Sequence, residues 1–222
     1  MIINVQKTTS AKRVLMIING SLMIINVQKN NKREARNINV QKKTMDYNKI
    51  IEKYYTPGTD LYNIFMRHSR DVTRRALQIV DAHPELGADR QFVEEAAMLH
   101  DIGIVRCDAP GICCHGTKPY LRHGMIGAAM MREEGYDRHA RVCERHTGAG
   151  LSAREIEQQN LPLPHRDFLP ETIEEKIICY ADKFYSKSHL DRCKTLPQAE
   201  KTISRFGDEG LQRFLLWERM FE

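Results

Sequence analysis

The four residues His100-Asp101-Ile102-Gly103 constrain this chain more than any other stretch. They close an amphipathic segment carrying Phe92, Val93, Ala96 and Leu99, and they do so with two adjacent metal-ligand side chains followed by a helix-ending glycine. Neighbouring residues at a helix end lie about 100° apart, so the pair can present an imidazole nitrogen and a carboxylate oxygen to one divalent ion. A lone His-Asp dipeptide is more often a surface or capping pair. Its meaning here depends on whether the rest of the chain brings further ligands to it.

Charge divides the chain before any motif does. The 34 Lys/Arg and 29 Asp/Glu of the 222 residues give a net +5. Residues 1–44 hold nine of the basic residues and one acid, Glu34, a balance of +8; residues 45–222 keep 25 basic against 28 acidic, a balance of −3. The basicity therefore belongs to the N-terminal extension, and the remainder gives no electrostatic reason to expect a nucleic-acid polymer as partner. No stretch approaches the ~18 consecutive apolar residues that span a bilayer, so no membrane partner is expected. Six cysteines, Cys107, Cys113, Cys114, Cys143, Cys179 and Cys193, are too sparse for the disulfide framework of a small secreted domain. Reduced thiols and a cytoplasmic location follow as expectations. Cys107, Cys113, Cys114 and His115 match no paired C-x-x-C zinc knuckle and read better as small loop thiols.

Within residues 1–44, Met-Ile-Ile-Asn-Val-Gln-Lys occurs at 1–7 and again at 23–29, with fragments at 16–19 and 38–42. The copies are too short and too irregularly spaced to stack as a solenoid. Lys12-Arg13 before Val14-Leu15-Met16-Ile17-Ile18 faintly resembles a secretory signal, but Asn19, Gly20 and Asn26 interrupt the apolar run and no small-x-small cleavage site follows. The expectation is a disordered extension or a mis-assigned start, with a native start at Met45 and one helical domain over residues 45–222.

From Asp46 onward the apolar period is helical. Leu61, Phe65, Val72, Ala76 and Ile79 form a stripe in which His68 occupies an apolar position, so that imidazole faces inward. His83-Pro84 and Gly87 end that helix, and Asp89 caps the helix that ends in His100. A Gly-, Pro- and Cys-rich loop over 104–119 leads to a third helix with His123 in its first turn and Gly124, Gly127 and Ala128 on a small-residue face, open to a neighbouring helix or to substrate. A fourth helix ends at His146-Thr147-Gly148, and residues 149–170 read as a long Pro-punctuated loop of lid size. Thr172 with Glu175 opens a fifth helix carrying Ile173, Ile177 and Ala181, with Asp182 beside the apolar stripe. Two further helices follow. No convincing period-two strand interrupts the pattern, and the fold class expected is all-α.

Each histidine has a bland explanation, but the set has none in common. His68, His100, Asp101, His123, His146 and Asp182 come from five successive helices, which is how helical bundles build metal sites in their cores. The order H…HD…H…H…D, with His-Asp-Ile-Gly at 100–103 and Ala181-Asp182-Lys183 at its end, resembles the HD-domain metal-dependent phosphohydrolase superfamily over residues ~60 to ~190. The resemblance implies that His68, His100, Asp101 and Asp182 hold one metal ion. It further implies that His123 and His146 serve a second, with Asp101 bridging. Two such ions share and activate a water and clamp phosphoryl oxygens. The mixed nitrogen and oxygen donors suit iron or manganese, with zinc or magnesium as alternatives.

Asp101 and Lys183 are the catalytic candidates, Lys183 because members of the superfamily often keep a lysine at a comparable place. Lys118, Arg122 and Arg145 are candidates for substrate phosphate by their nearness in sequence to the ligands. His115 and His139 read as loop and surface residues. Thr147 stands where cyclic-dinucleotide phosphodiesterases of the superfamily carry a second histidine, and their Gly-Tyr-Pro signature is missing. The His146-Thr147-x-Gly turn is more similar to the diadenosine-tetraphosphate hydrolases of the superfamily. The expected activity is hydrolysis of a small, nucleotide-like phosphoester, with a non-catalytic metal- or nucleotide-binding module as the alternative.

Overall fold

The structure is a computed structural model that describes residues 5–8, 11–18, 21–27 and 45–222. The chain divides into two compact units, Met1–Lys43 and Thr44–Glu222. In the first, β1 (Val5–Thr8), β2 (Ala11–Ile18) and β3 (Ser21–Val27) pair as an antiparallel meander. Isoleucine and valine recur through the repeats, and these β-branched residues suit extended backbone. The disorder expected of residues 1–44 otherwise falls outside the described residues.

The second unit is helical. Its helices are α1 (Tyr47–Tyr54), α2 (Asp60–Ala82), α3 (Arg90–Leu99), α4 (His123–Glu133), α5 (Asp137–Arg145), α6 (Ala153–Gln158), α7 (Ile173–Asp182), α8 (Leu196–Ser204) and α9 (Asp208–Phe221). Local chemistry sets most boundaries. The Thr59 hydroxyl oxygen accepts from the Tyr62 N–H at the start of α2, and the Asp89 carboxylate accepts from the Phe92 N–H at the start of α3. Capping boxes open α6 at Ser152/Glu155 and α7 at Thr172/Glu175. After α2, His83-Pro84 cannot continue the helix and Gly87 turns the chain at φ +63.

Two apolar cores result. Val72, Ala76, Phe92, Ile177, Tyr180, Phe214 and Trp217 belong to one, and Ile51, Phe65, Leu99, Ile102, Met130 and Met131 to the other. Along α2, His68 falls between Phe65 of the second core and Val72 of the first.

Two loops differ from the sequence expectation. Residues 104–119 contain β4 (Cys107–Ala109), β5 (Cys114–His115) and β6 (Lys118–Pro119), a sheet too short to show periodicity. Residues 149–170 are no open lid. They contain α6 and bury Leu151, Ile156, Leu163 and Phe168 in a small core of their own. The Arg213 guanidinium pins this segment by donating to Ala149 O, Gly150 O and the Glu155 carboxylate, at 2.9, 2.9 and 2.6 Å. His139, read as a surface residue, is buried among Phe92, Tyr136 and Glu95, and burial lowers its pKa to about 4.

The small face of α4 is used for packing. A Cβ on Gly103 would sit 2.2 Å from His123 O and 2.4 Å from Gly127 N, and one on Gly124 would sit 2.6 Å from Cys143 O. These glycines let α4 lie directly against residues 102–106 and against α5. Gly103→Ala is expected to lower unfolding stability by about 2–3 kcal/mol, because the new methyl would run into the backbone of α4, which cannot yield as a side chain can. Gly111→Ala, where nothing lies within 4 Å, is expected to leave it within about 0.5 kcal/mol. Urea titration of the two variants measures the contrast.

Candidate metal centre

The helix that ends at His100 stops by tightening. His100 still has helical backbone, Asp101 departs from it at φ −103, ψ 12, and residues Ile102–Arg106 continue as a 3-10 turn. That change of pitch leaves both side chains aimed at α2, α5 and α7. His68 comes from the buried stripe of α2, His123 opens α4, His146 follows α5, and Asp182 closes α7.

Ligand atoms of His68, His100, Asp101 and Asp182 lie within 4.8 Å of one another, and so do those of Asp101, His123 and His146. Asp101 belongs to both groups through different oxygens. Its Oδ2 is 3.1 Å from His68 Nε2 and 3.1 Å from His100 Nε2; its Oδ1 is 3.4 Å from His123 Nε2 and 3.4 Å from His146 Nε2. Asp182 Oδ1 completes the first group at 3.0 Å from His68 and 3.5 Å from His100.

Three of the imidazoles are locked in one tautomer. The Nδ1–H groups of His100, His123 and His146 donate to the carbonyls three residues earlier, Ala97, Tyr120 and Cys143, at 2.6, 2.7 and 2.7 Å. The Nε2 atoms of His123 and His146 therefore present lone pairs to the centre, and His100 Nε2 does so once its proton is lost. His123 Nε2 and His146 Nε2 are 3.0 Å apart, which sets two lone pairs against each other unless a cation lies between them. His100 Nε2, both ring nitrogens of His68 and Asp101 Oδ1 are buried with no hydrogen-bond partner in good geometry, and Asp101 Oδ2 has the Lys187 ammonium beside it. They stand close to one another but point at common positions. A buried donor set that is close-packed and unsatisfied in this way fits divalent cations.

Electrostatics agree with that fit. Burial opposes ionisation of Asp101 and Asp182, yet both stay well below the usual carboxylate range, Asp101 chiefly through Lys187 and His100 and Asp182 chiefly through Lys183 and His100. Burial lowers the pKa of His123 to about 3 and also lowers that of His146, so both are neutral ligands at physiological pH. For His100 burial works the same way, but the Asp101 and Asp182 carboxylates outweigh it and raise its pKa to about 9. A cation binding there displaces a proton.

A cavity of about 560 Å³ opens over the centre. His123, His146 and Asp182 line it together with Ile112, Tyr120, Lys183, Lys187, Lys194, Ile203 and Phe206. The HD domain family matches residues 65–186.

This chain belongs to the HD domain family.

Its match to an uncharacterized protein of Methanocaldococcus jannaschii is 37% identical over 155 residues, covering 68% of this chain and 83% of that protein. Two further relatives are each named tRNA (cytidine(56)-2'-O)-methyltransferase. The one from Picrophilus torridus is 35% identical over 135 residues and the one from Thermoplasma volcanium 34% identical over 137, covering 60% and 61% of this chain. The matched stretch spans 35% of the length of each of these two. No solved structure matches the chain significantly.

All six ligand positions expected from the sequence converge in this HD domain, and Lys183 lines the cavity with its Nζ 2.6 Å from Asp182 Oδ2 and 2.9 Å from His146 O. The other three cations do not line it. Lys118 is exposed on β6, Arg122 donates to Pro162 O at 2.9 Å, and Arg145 donates to Leu169 O at 3.0 Å and lies 2.6 Å from Glu171. A residue next to a ligand on a helix faces about 100° away from it, which is why nearness in sequence misled. Residues 149–170 and the α4 glycines do not line the cavity either; its wall is the segment that follows α7.

Lys187 is the main residue the sequence reading missed. Its Nζ is 2.5 Å from Asp101 Oδ2, and it lies buried beside Tyr120, whose ring stacks on His123 at 4.8 Å between centroids. The signal was present as the series Lys183, Lys187, Lys194 after Asp182, but no helical period extends beyond Phe184 to show which way those side chains turn. Asp101→Ala is expected to lower metal content at both donor groups, whereas His123→Ala is expected to lower it only at the group formed with His146. Metal-to-protein ratios of the two purified variants, measured against wild type, check this; equal partial losses in both would show that Asp101 does not serve two ions.

Proposed function

We propose that this HD domain is a metal-dependent phosphohydrolase acting on a small, nucleotide-like phosphoester or phosphoanhydride. One observation carries the reading: the two oxygens of a single buried carboxylate, Asp101, face two separate histidine groups. His68, His100, Asp101 and Asp182 would hold one divalent ion and Asp101, His123 and His146 a second, iron or manganese before zinc or magnesium. When bound, such a pair supplies Lewis-acid polarisation of the phosphoryl group and lowers the pKa of a shared water.

The chain's own residues do the remainder. The Ala97, Tyr120 and Cys143 carbonyls hold three imidazoles in register, so the donor set is formed in advance. Lys183 bridges Asp182 and His146 O and fixes the end of α7 against the end of α5. Lys187 and Lys194 present ammonium groups to the cavity, where a phosphate dianion needs them. Phe206, 52% exposed at the cavity wall, and buried Ile203 beside it offer an apolar face to a flat ring such as a nucleobase. A volume of about 560 Å³ is in the range of small-molecule sites, and the acidic balance of residues 45–222 does not favour a polymer track. The methyltransferase names belong to proteins about three times as long as the shared stretch. Among the described residues no helix is long and apolar enough to cross a membrane.

The full chain, loaded with manganese or iron, is expected to turn over some member of a panel of nucleotides, dinucleoside polyphosphates and cyclic nucleotides much faster than a generic aryl phosphate, leaving single-stranded RNA and DNA intact. Degradation of RNA alone would replace this reading with a nuclease, and full metal occupancy without any turnover would leave a binding module. Lys187→Ala is expected to reduce kcat/KM on the preferred substrate at least tenfold, about 1.4 kcal/mol of transition-state stabilisation, without lowering metal content. Loss of metal in that variant would make Lys187 a structural partner of Asp101 instead.

A further inference from the structure

A second cavity, of about 770 Å³, lies beside the one over the metal centre. The two share Ser186, Lys194 and Thr202 as lining residues, so they meet around Lys194. That side chain is held in place: its Nζ donates to Lys183 O at 3.2 Å, which ties the junction to the residue following Asp182.

The outer cavity is strongly cationic. Arg192, Lys194, Lys201 and Arg205 line it, against one carboxylate, Asp191. Asp191 offsets little of this charge, since its contact with Arg192 is 3.7 Å long and both side chains are more than three-quarters exposed. Lys201 and Arg205 stand four residues apart, at the C-terminal end of α8, a spacing at which like charges repel. Among the described residues no carboxylate pairs with Lys201, Arg205 or Lys194. The packing of α8 depends on Ala199 and Ile203; Lys201 and Arg205 suit the negative end of its dipole but take no part in that packing. Hydroxyl groups of Ser186, Thr195 and Thr202 add hydrogen-bonding capacity to the same walls. Uncompensated cations and hydroxyls around a cavity of this size form an anion site.

We infer that the cavity formed by Arg192, Lys194, Lys201 and Arg205 is a second anion subsite, and that the substrate carries a further phosphate beyond the one presented to the His/Asp centre. The inference rests on the hydrolase reading for what occupies the inner cavity. The outer subsite selects ligands with a chain of phosphates, or two separate ones, over a simple monoester. Lys194, at the junction, serves both cavities.

The test is equilibrium binding of inorganic tripolyphosphate and of orthophosphate to the metal-loaded full chain, with free divalent ion held constant by excess magnesium. Wild type, Lys201→Ser/Arg205→Ser, and a control double variant, Arg70→Ser/Arg219→Ser, which removes two exposed charges elsewhere, are compared. The Lys201/Arg205 variant is expected to bind tripolyphosphate at least tenfold more weakly and orthophosphate within twofold of wild type, while the control changes neither. Equal tripolyphosphate binding by all three proteins overturns the subsite, as does an equal loss by the control. If the tripolyphosphate difference is found in a protein that hydrolyses no phosphate compound, the subsite stands and the hydrolase reading falls. If hydrolysis is found without the difference, the subsite alone falls.

Discussion

Asp101 is a carboxylate with no exposure to solvent, placed where two groups of imidazoles meet. An ion so buried costs several kcal/mol unless countercharge is supplied. Here the Lys187 ammonium and the neighbouring His100 supply it, and no apolar substitute would serve. Asp182 repeats the situation at the end of α7, with Lys183 beside it. The remainder of the helical unit can be read as what is needed to hold these two carboxylates in place. α2 contributes one inward imidazole from a continuous apolar stripe, α3 ends by tightening into a 3-10 turn, and Gly103, Gly124 and Gly127 let α4 close to backbone contact.

That requirement also explains how charge is distributed in the second unit. Cations near the centre divide into those consumed by the fold and those left facing a cavity. Arg141 and Arg145 join Glu171 and Glu175 and tie α5 to the start of α7; Arg213 holds the 149–155 segment. Lys183 and Lys187 contact the ligand carboxylates themselves, and Lys194, Lys201 and Arg205 remain without acidic partners among the described residues. With two carboxylates and four neutral imidazoles as ligands, bound divalent ions would leave the centre net positive before any lysine is counted. Such a charge would attract multiply charged anions.

The helical architecture and the six His/Asp positions that converge were legible in the sequence because they rest on local signals. His68 occupies an apolar position in a long period, and Asp182 is a carboxylate beside an apolar stripe that no fold needs for packing alone. Caps such as Asp89, Thr59 and Thr172 fix where those helices begin. The cavity wall was not legible, because it depends on which way side chains turn after the helical period has ended. Lys187 and Lys194 lie beyond α7 in that position, whereas Arg122 and Arg145, adjacent to histidines in sequence, turn to the Pro162 and Leu169 carbonyls. The 149–170 segment shows the same limit from the other side. Its prolines suggested a lid, while Ile156 and Phe168 are buried in a core that only the tertiary structure reveals.

The central claim is that Asp101 stands between two metal ions. Anomalous diffraction from crystals of the full chain loaded with manganese measures this directly. Two peaks about 3.5–4 Å apart are predicted, one beside each Asp101 oxygen, the first among His68, His100 and Asp182 and the second between His123 and His146. A single peak, or manganese bound away from Asp101, would contradict it.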